Sequence, residues 1–227
     1  MSWYQPKMPF DLVIFDCDGV LVDSELLSVK ADAACLAEDG IVLSEDEILE
    51  RYTGISVAGM LADLEQRHGR ALPDFAQRHY EHVSALFAAG LCAIAGVEAV
   101  IDGLSCRACV ASSSTPDRLT MALTKVGLHG RFHPHIFSAA MVARGKPAPD
   151  LFLYAAAQMS VPPARCVVIE DSLPGVAAAV AAGMIPVGFT GGSHCRPGHT
   201  ARLAAAGAIR VAATIPELAT VLTTLAH

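Results

Sequence analysis

Two aspartates separated by one residue stand directly after an apolar run near the start of the chain. The run is Leu12 to Phe15, and Asp16, Cys17, Asp18 and Gly19 follow it. Four consecutive apolar residues, rich in β-branched side chains, are typical of a short strand that is buried on both faces. Ligands of an open parallel sheet bind beyond the carboxyl ends of its strands, so both carboxylates are expected to face a binding crevice. An ordinary turn of Asp and Gly after a hydrophobic strand is the alternative.

Other polar groups follow later strand-like runs or stand near them. Ser112 follows one predicted strand, Glu170 and Asp171 follow another, and Lys146 stands in a proline-rich segment that is not helical. Carboxylates that share a crevice repel one another unless a cation neutralises them, and Mg²⁺ prefers oxygen ligands. We therefore expect a magnesium site beside groups that hold a phosphoryl group for transfer. One carboxylate is then the nucleophile, because no activated serine or cysteine accompanies the set.

The order of the predicted elements places these groups on an α/β fold. From about residue 95 onwards, strand-like and helix-like segments alternate, which predicts a parallel sheet covered by helices on both faces. Residues from about 24 to 91 read only as helices, and Ser44 with Glu47 forms a capping box at the start of one of them. We predict a Rossmann-like core made of residues 1–23 and 92–227, with an all-helical cap domain, residues 24–91, inserted after the first strand.

Composition excludes several classes of protein. Of the 227 residues, 53% are hydrophobic and 17% are charged, so a large core is available and a disordered chain is excluded. The net charge of −7 and the absence of a Lys/Arg cluster predict no nucleic-acid partner. No uninterrupted apolar run reaches the roughly 18 residues of a membrane span, and the first ten residues lack the apolar core of a signal peptide. Scattered cysteines, odd in number, suit reduced thiols, so we expect a cytoplasmic protein. We also expect a monomer or a weak homodimer.

Three further groupings are interpreted structurally. Cys106 and Cys109 have the spacing of a pair of zinc ligands, but no second pair follows, and Cys109 lies in an apolar run. The three histidines within 129–135 are expected to lie in a loop without a metal. The loop 191–194, of sequence GGSH, is expected to be mobile and exposed to solvent, with contact to substrate as the alternative.

The chain resembles the haloacid dehalogenase superfamily of phosphohydrolases through four motifs in order. The first motif of that superfamily, DxDGxLxDS, matches residues 16–24, which read DCDGVLVDS. Ser112 corresponds to the second motif, Lys146 to the third, and residues 170–172 followed by Gly175 to the fourth. The helical insert resembles the cap of the β-phosphoglucomutase-like subgroup, to which sugar-phosphate phosphatases belong.

The resemblance implies a role for each motif residue. Asp16 would attack phosphorus and form an aspartyl-phosphate, while Asp18 would protonate the leaving oxygen and then activate water. The four residues expected to carry catalysis are Asp16, Asp18, Ser112 and Lys146. The residues expected to contact substrate are Ser112, Ser113 and Lys146 in the core and Gly54, Ile55 and Ser56 in the cap. The expected Mg²⁺ ligands are Asp16, the backbone carbonyl of Asp18, Asp171, and Glu170 either directly or through water.

The cap separates a phosphatase from a mutase within this subgroup. The mutases place a histidine in the first cap helix and an arginine just after a Gly-Val-Ser loop, and the aligned residues here are Ser28 and Val57. A serine cannot replace that histidine, and a valine cannot bind a second phosphate. We therefore predict a phosphatase that acts on a small phosphorylated metabolite, either a sugar phosphate or a sugar-acid phosphate, with a phosphosugar mutase as the alternative.

Three other outcomes fit the motifs less well. A dehalogenase lacks the second aspartate, which is present here as Asp18. A phosphonatase needs a Schiff-base lysine in the cap, and the lysine found there, Lys30, stands off the expected loop. A non-enzymatic receiver-type switch, which accepts phosphate on an aspartate, has neither the helical insert nor the second aspartate.

Overall fold

The computed structural model describes residues 10–226. Residues 1–9 and His227 lie outside this description. The expectation about a signal peptide therefore falls mostly on residues that are not described. In the described chain, six parallel strands form one sheet in the order β3-β2-β1-β4-β5-β6. The strands are β1 (Leu12–Phe15), β2 (Arg107–Ser112), β3 (Ile136–Ser138), β4 (Cys166–Glu170), β5 (Ile185–Phe189) and β6 (Arg210–Ala212).

Strand β1 lies in the middle of the sheet, and all four of its residues are buried. Its last residue, Phe15, pairs with Val110 of β2 on one side and with Ile169 of β4 on the other. The strands point the same way, so the residues that follow β1 lie beside the ends of β2 and β4. The predicted parallel α/β fold is therefore confirmed, and its register brings three strand ends together.

Helices cover both faces of the sheet. The helices of the core are α5 (Val97–Asp102), α6 (Pro116–Lys125), α7 (His129–Phe132), α8 (Asp150–Gln158), α9 (Leu173–Ala181), α10 (His199–Ala205) and α11 (Ile215–Leu225). Alternate residues of β1 face opposite apolar layers, as the period of two in a strand requires. Val13 and Phe15 pack in one layer with Leu218 of α11, and Ile14 packs in the other with Phe152 of α8. The expectation that residues 129–135 form only a loop is wrong, since α7 begins at His129.

Four helices occupy the segment between β1 and α5. They are α1 (Glu25–Glu38), α2 (Glu45–Tyr52), α3 (Val57–His68) and α4 (Phe75–Gly90). They enclose an apolar cluster of their own, which includes Leu36, Ile48 and Phe75. The capping box at α2 is confirmed, because the backbone N–H of Ser44 donates to Glu47 at 2.9 Å and the backbone N–H of Glu47 donates to the Ser44 hydroxyl at 3.3 Å. The exact domain boundaries stay a prediction.

Among residues 10–226, none of the helices combines the length and the apolar character that crossing a membrane demands.

Candidate active site

Polar side chains meet where three neighbouring strands end. Asp16 follows β1 directly, Ser112 is the last residue of β2, and Glu170 is the last residue of β4. Lys146 reaches the same place from the segment between β3 and α8. All four side chains are buried, and Glu170 is fully so. The convergence expected from the strand order is therefore present.

Lys146 joins two of these strand ends. Its Nζ donates to Asp16 Oδ1 and to Glu170 Oε1, both at 2.6 Å, and to the backbone carbonyl oxygen of Ala111 at 3.1 Å. An ammonium group has three hydrogens, so each of them has an acceptor. Burial alone would lower the pKa of Lys146, but the carboxylates of Asp16 and Glu170 outweigh it and raise that pKa. The lysine therefore stays charged.

Glu170 is held on both of its carboxylate oxygens. While Oε1 accepts from Lys146, Oε2 accepts from the backbone N–H of Ser172 at 2.9 Å and from the Ser172 hydroxyl at 2.8 Å. Gly175 lies against this carboxylate, because a Cβ on Gly175 would stand 1.8 Å from Oε1. Glu170 thus positions Lys146, and its packing requires a glycine in the first turns of α9.

Asp18 accepts three hydrogen bonds from side chains. The donors are the hydroxyls of Ser24 at 2.6 Å and Ser114 at 2.7 Å, and Nη2 of Arg118 at 3.0 Å. Burial raises the pKa of Asp18, but the Arg118 charge and the hydrogen bonds from Ser24 and Ser114 outweigh burial and lower it. Arg118 also lies 5.1 Å from the centre of the Phe87 ring in α4. Asp18 is therefore held as a carboxylate.

Arg118 and Ser114 were not identified from the sequence. Arg118 is the third residue of α6, in an ordinary amphipathic stretch whose pattern carries no signal of function. Ser114 follows the second motif by two residues, and only its distance to Asp18 distinguishes it from the neighbouring serines. Ser24 closes the first motif, so its position offered a signal that could have found it.

A cluster of three buried carboxylates suits a divalent cation. One oxygen each from Asp16, Glu170 and Asp171 lies within 4.8 Å of the others. Burial, reinforced by the charge of Glu170, raises the pKa of both Asp16 and Asp171, although Lys146 opposes this rise. Among the described residues, Oδ2 of Asp171 has no hydrogen-bond partner. Carboxylate oxygens crowded beyond what one lysine neutralises are the donor set that Mg²⁺ prefers, so the residues fit this ion. The Asp18 side chain is not in the cluster.

A cleft of about 500 Å³ extends from Asp16, Asp18 and Lys146 to the helical insert. The residues expected to contact substrate all line it, namely Gly54, Ile55, Ser56, Ser112, Ser113 and Lys146. The insert contacts the core at its turn, where the hydroxyl of Ser113 donates to the backbone carbonyl of Gly54 at 3.1 Å. Gly54 has a φ of +79°, and a Cβ there would lie 2.5 Å from Ser172, so a glycine is required at this contact. Ser28 and Val57 also line the cleft.

Half of the loop 191–194 packs against the site: Gly191 and Ser193 are exposed, as expected of a solvated loop, but the expectation of exposure is wrong for the other two residues. Gly192 and His194 are buried. Asp23 Oδ1 accepts hydrogen bonds from the backbone N–H of Ser193 at 3.0 Å and from its hydroxyl at 2.8 Å. His194 Nε2 lies 3.0 Å from Asp171 Oδ2. Gly191 and Gly192 allow the loop to approach the site closely. The sequence of the loop does not distinguish this packing from a turn in solvent.

Comparison with known proteins agrees with this geometry. The family model of haloacid dehalogenase-like hydrolases matches residues 10–183. The 6-phosphogluconate phosphatase of Escherichia coli K12 is 30% identical over 189 residues, which cover 82% of this chain and 86% of that protein. Hexitol phosphatase A of the same organism is 31% identical over 75% of this chain and 78% of its own length.

A solved structure is similar over almost the whole chain. The crystal structure of a conserved haloacid dehalogenase-like protein from Agrobacterium tumefaciens strain C58 superposes with a TM-score of 0.82 at 40% identity, covering 96% of this chain and all of that one. The family model also spans the four motifs around which the site is built. This chain belongs to the haloacid dehalogenase-like hydrolases.

Proposed function

We propose that this chain, a phosphatase of the haloacid dehalogenase family, hydrolyses a small sugar phosphate or sugar-acid phosphate with Mg²⁺ as cofactor and an aspartyl-phosphate on Asp16 as intermediate. The observation that carries the proposal is the position of Asp16, which directly follows the central strand and lies in the cleft with Lys146 bound to one of its oxygens. The relatives named as 6-phosphogluconate and hexitol phosphatases support a phosphorylated sugar acid or polyol as the class of substrate.

Asp16 is suited to attack phosphorus. Within residues 10–226, its side-chain hydrogen bond from Lys146 ends on Oδ1, which leaves Oδ2 as the attacking oxygen. A bond forms between that oxygen and phosphorus, and the ester bond between phosphorus and the leaving oxygen breaks. Ser112, at the end of β2, would donate its hydroxyl hydrogen to an oxygen of the phosphoryl group. Lys146 would bind another of these oxygens in exchange for the backbone carbonyl of Ala111, its longest hydrogen bond at 3.1 Å.

Asp18 is suited to move the protons. In the first step it gives a proton to the leaving oxygen, and in the second it takes one from the water that attacks the aspartyl-phosphate and releases inorganic phosphate. Arg118 holds Asp18 ionised, which is the state that the second step requires. For the first step Asp18 must be protonated, so the contact with Arg118 opposes that step.

The magnesium ion would be held by Asp16, Asp171 and the backbone carbonyl of Asp18, with Glu170 close by. When bound, it would neutralise the carboxylates and polarise the phosphoryl oxygens for attack. Glu170 already uses both of its oxygens for Lys146 and Ser172, so its contact with the ion would be through water.

The residues of the insert favour hydrolysis over isomerisation. The hydroxyl of Ser28 donates to the backbone carbonyl of Ser24 at 3.0 Å and accepts from Arg118 at 2.8 Å, so it already has two partners. Val57 offers only an apolar surface to the cleft, which provides no charge for a second phosphate. We propose that residues 24–91 act as a cap over the core and shape the pocket for substrate. The cytoplasmic location and the oligomeric state stay predictions.

The proposal is tested by phosphate release from a panel of sugar, polyol and sugar-acid phosphates. We expect release with Mg²⁺ and none in excess chelator. Asp16→Asn should abolish release, whereas the matched control Asp46→Asn, an exposed aspartate on α2, should not. Turnover by Asp16→Asn near the wild-type rate, or full activity in chelator, would contradict the mechanism.

A further inference from the structure

A second group of metal-ligating side chains lies beside Asp171. His194 and Cys195 belong to the segment after β5, and His199 begins α10. One ligand atom from each of the three residues lies within 4.8 Å of the other two. This group consists of imidazoles and a thiol, so it differs in chemistry from the oxygen cluster of the proposed Mg²⁺ site.

The spacing between two of these atoms suits a tetrahedral metal. His194 Nε2 lies 3.5 Å from Cys195 Sγ. Zinc binds nitrogen at about 2.0–2.1 Å and sulfur at about 2.3 Å, so a tetrahedral angle separates the two ligands by about 3.6 Å. His194 and Cys195 can therefore reach one ion with little movement.

Asp171, which also belongs to the oxygen cluster, lies next to His194. Its Oδ2 lies 3.0 Å from His194 Nε2, yet among residues 10–226 no hydrogen bond to Oδ2 has acceptable geometry. The side chains of Asp171 and His194 are only 2% and 3% exposed. A buried oxygen without a hydrogen bond needs an explanation, and an ion bound to that oxygen would provide one. The two atoms lie side by side, as two ligands of one ion would.

His199 is anchored in the group by a contact with the backbone. Its Nε2 lies 2.5 Å from the backbone carbonyl oxygen of Asp171. Such a contact with a carbonyl commonly orients a histidine that binds metal. Nε2 donates to this carbonyl, which leaves Nδ1 as the nitrogen that would bind the ion, and the ring is held with a nitrogen within 4.8 Å of the ligand atoms of His194 and Cys195.

We propose that His194, Cys195 and His199, together with Asp171, form a second metal site that binds one Zn²⁺ ion. Thiolate and imidazole ligands select zinc over magnesium, because Mg²⁺ prefers oxygen. Binding releases the proton of the Cys195 thiol to solvent and leaves the thiolate on the metal. Zinc and Mg²⁺ compete for the Asp171 carboxylate, so zinc raises the Mg²⁺ concentration that activity requires; this consequence rests on the proposed function.

Cobalt provides a direct readout of the site, because a thiolate bound to Co²⁺ gives a charge-transfer absorption. The metal-free protein is titrated with Co²⁺ in the absence of Mg²⁺, because Mg²⁺ would compete for Asp171. We expect a thiolate absorption that saturates at one Co²⁺ per chain and is abolished when Zn²⁺ displaces the cobalt. Cys195→Ser should lose the absorption, while the matched control Cys92→Ser, an exposed thiol, should keep it. His199→Gln should weaken binding by more than the roughly 10- to 100-fold that loss of an outer partner costs.

The unmodified protein provides a second measurement that needs no variant to fold. Zn²⁺ should slow alkylation of Cys195 and leave alkylation of Cys92 unchanged. Equal rates at Cys195 with and without Zn²⁺, or a cobalt absorption that survives in Cys195→Ser, would overturn the site. Both measurements are independent of turnover, so a failure of the proposed phosphatase activity would leave the zinc result readable.

Discussion

Arg118 donates a hydrogen bond from Nη2 to Asp18 Oδ1 at 3.0 Å, although the two residues are 100 positions apart in the chain. The same nitrogen donates to the Ser28 hydroxyl in α1 at 2.8 Å. One guanidinium thus connects a residue of the first motif, a helix of the core and a helix of the insert. It controls the charge of Asp18 and the position of α1 over the cleft.

Arg118→Met should slow hydrolysis of the aspartyl-phosphate, the step that requires ionised Asp18. With that step limiting turnover, we expect kcat at neutral pH to fall more than about tenfold, because general acid–base catalysis contributes on the order of 10²–10⁴-fold. Without the guanidinium, the pKa of Asp18 rises, so Asp18 becomes protonated at a higher pH than in the wild type. The acid limb of the kcat profile should therefore move to higher pH. Arg118→Lys, which keeps the charge, should move it less.

A surface arginine serves as control for this variant. Arg131 forms an ion pair with Asp102 on the surface of the core, and Arg131→Met should leave the pH profile unchanged. An Arg118→Met profile that superposes on the wild type would show that Arg118 does not set the protonation of Asp18.

Substitution of each aspartate of the first motif, Asp16 and Asp18, should block a different step of the reaction. Asp16→Asn should give no protein-bound phosphate, because the nucleophile is gone. Asp18→Asn should still accumulate phosphoenzyme from an ester with a good leaving group, which needs no proton, while hydrolysis of that intermediate slows. Acid quenching followed by counting of protein-bound phosphate distinguishes the two. Equal accumulation in both variants would argue against the assigned roles.

Gly175→Ala should reduce both activity and stability. In a helix interior, alanine normally stabilises by about 1 kcal/mol relative to glycine. At this position, however, a Cβ would lie 1.8 Å from Oε1 of the buried Glu170, so that carboxylate must move away from Lys146. The matched control is Gly90→Ala in α4, where a Cβ meets nothing within 4 Å. The Tm and kcat should fall for Gly175→Ala and not for Gly90→Ala. Two equally active variants would contradict the packing argument.

When a hexose 1-phosphate is supplied together with the corresponding hexose bisphosphate, the unmodified protein should release inorganic phosphate and should form no isomer of the hexose 1-phosphate. Val57→Arg should then bind a bisphosphate as competitive inhibitor about ten- to a hundredfold more tightly, because a hydrogen bond to a charged group contributes about 1.5–3 kcal/mol. Val42→Arg, at a residue that is 88% exposed, should have no such effect. Isomer that accumulates faster than inorganic phosphate in the unmodified protein would make it a mutase.

Glu25 should make the metal-free protein less stable as pH rises. Burial, followed by repulsion from Asp171 and Asp18, raises the pKa of Glu25 from 4.5 to about 8. The folded protein therefore favours the protonated carboxyl, and the stability that this provides below pH 4.5 is lost as pH rises towards about 8. In chelator, Glu25→Gln should weaken the fall of Tm across this window, and the exposed control Glu50→Gln should not. Parallel Tm curves for Glu25→Gln and the wild type would contradict the shift.

Short-range patterns in the sequence were enough to predict the sheet and the acids at its edge. The apolar run of β1 and the acids that follow it are contiguous, and a parallel sheet places strand ends together whatever loops connect them. The capping box at Ser44 and Glu47 is local for the same reason, since its two residues are only three positions apart. The four helices of the insert likewise follow from local apolar spacing.

Only the tertiary structure decided which other groups surround these acids. Arg118 meets Asp18 because α6 packs under the insert, and His194 meets Asp171 because the loop after β5 folds inward over Gly192. Neither contact leaves a local pattern, since each depends on how elements distant in the chain pack against each other. The sequence thus determined the carboxylates at the strand ends and their strands, whereas packing determined their charge and their neighbours.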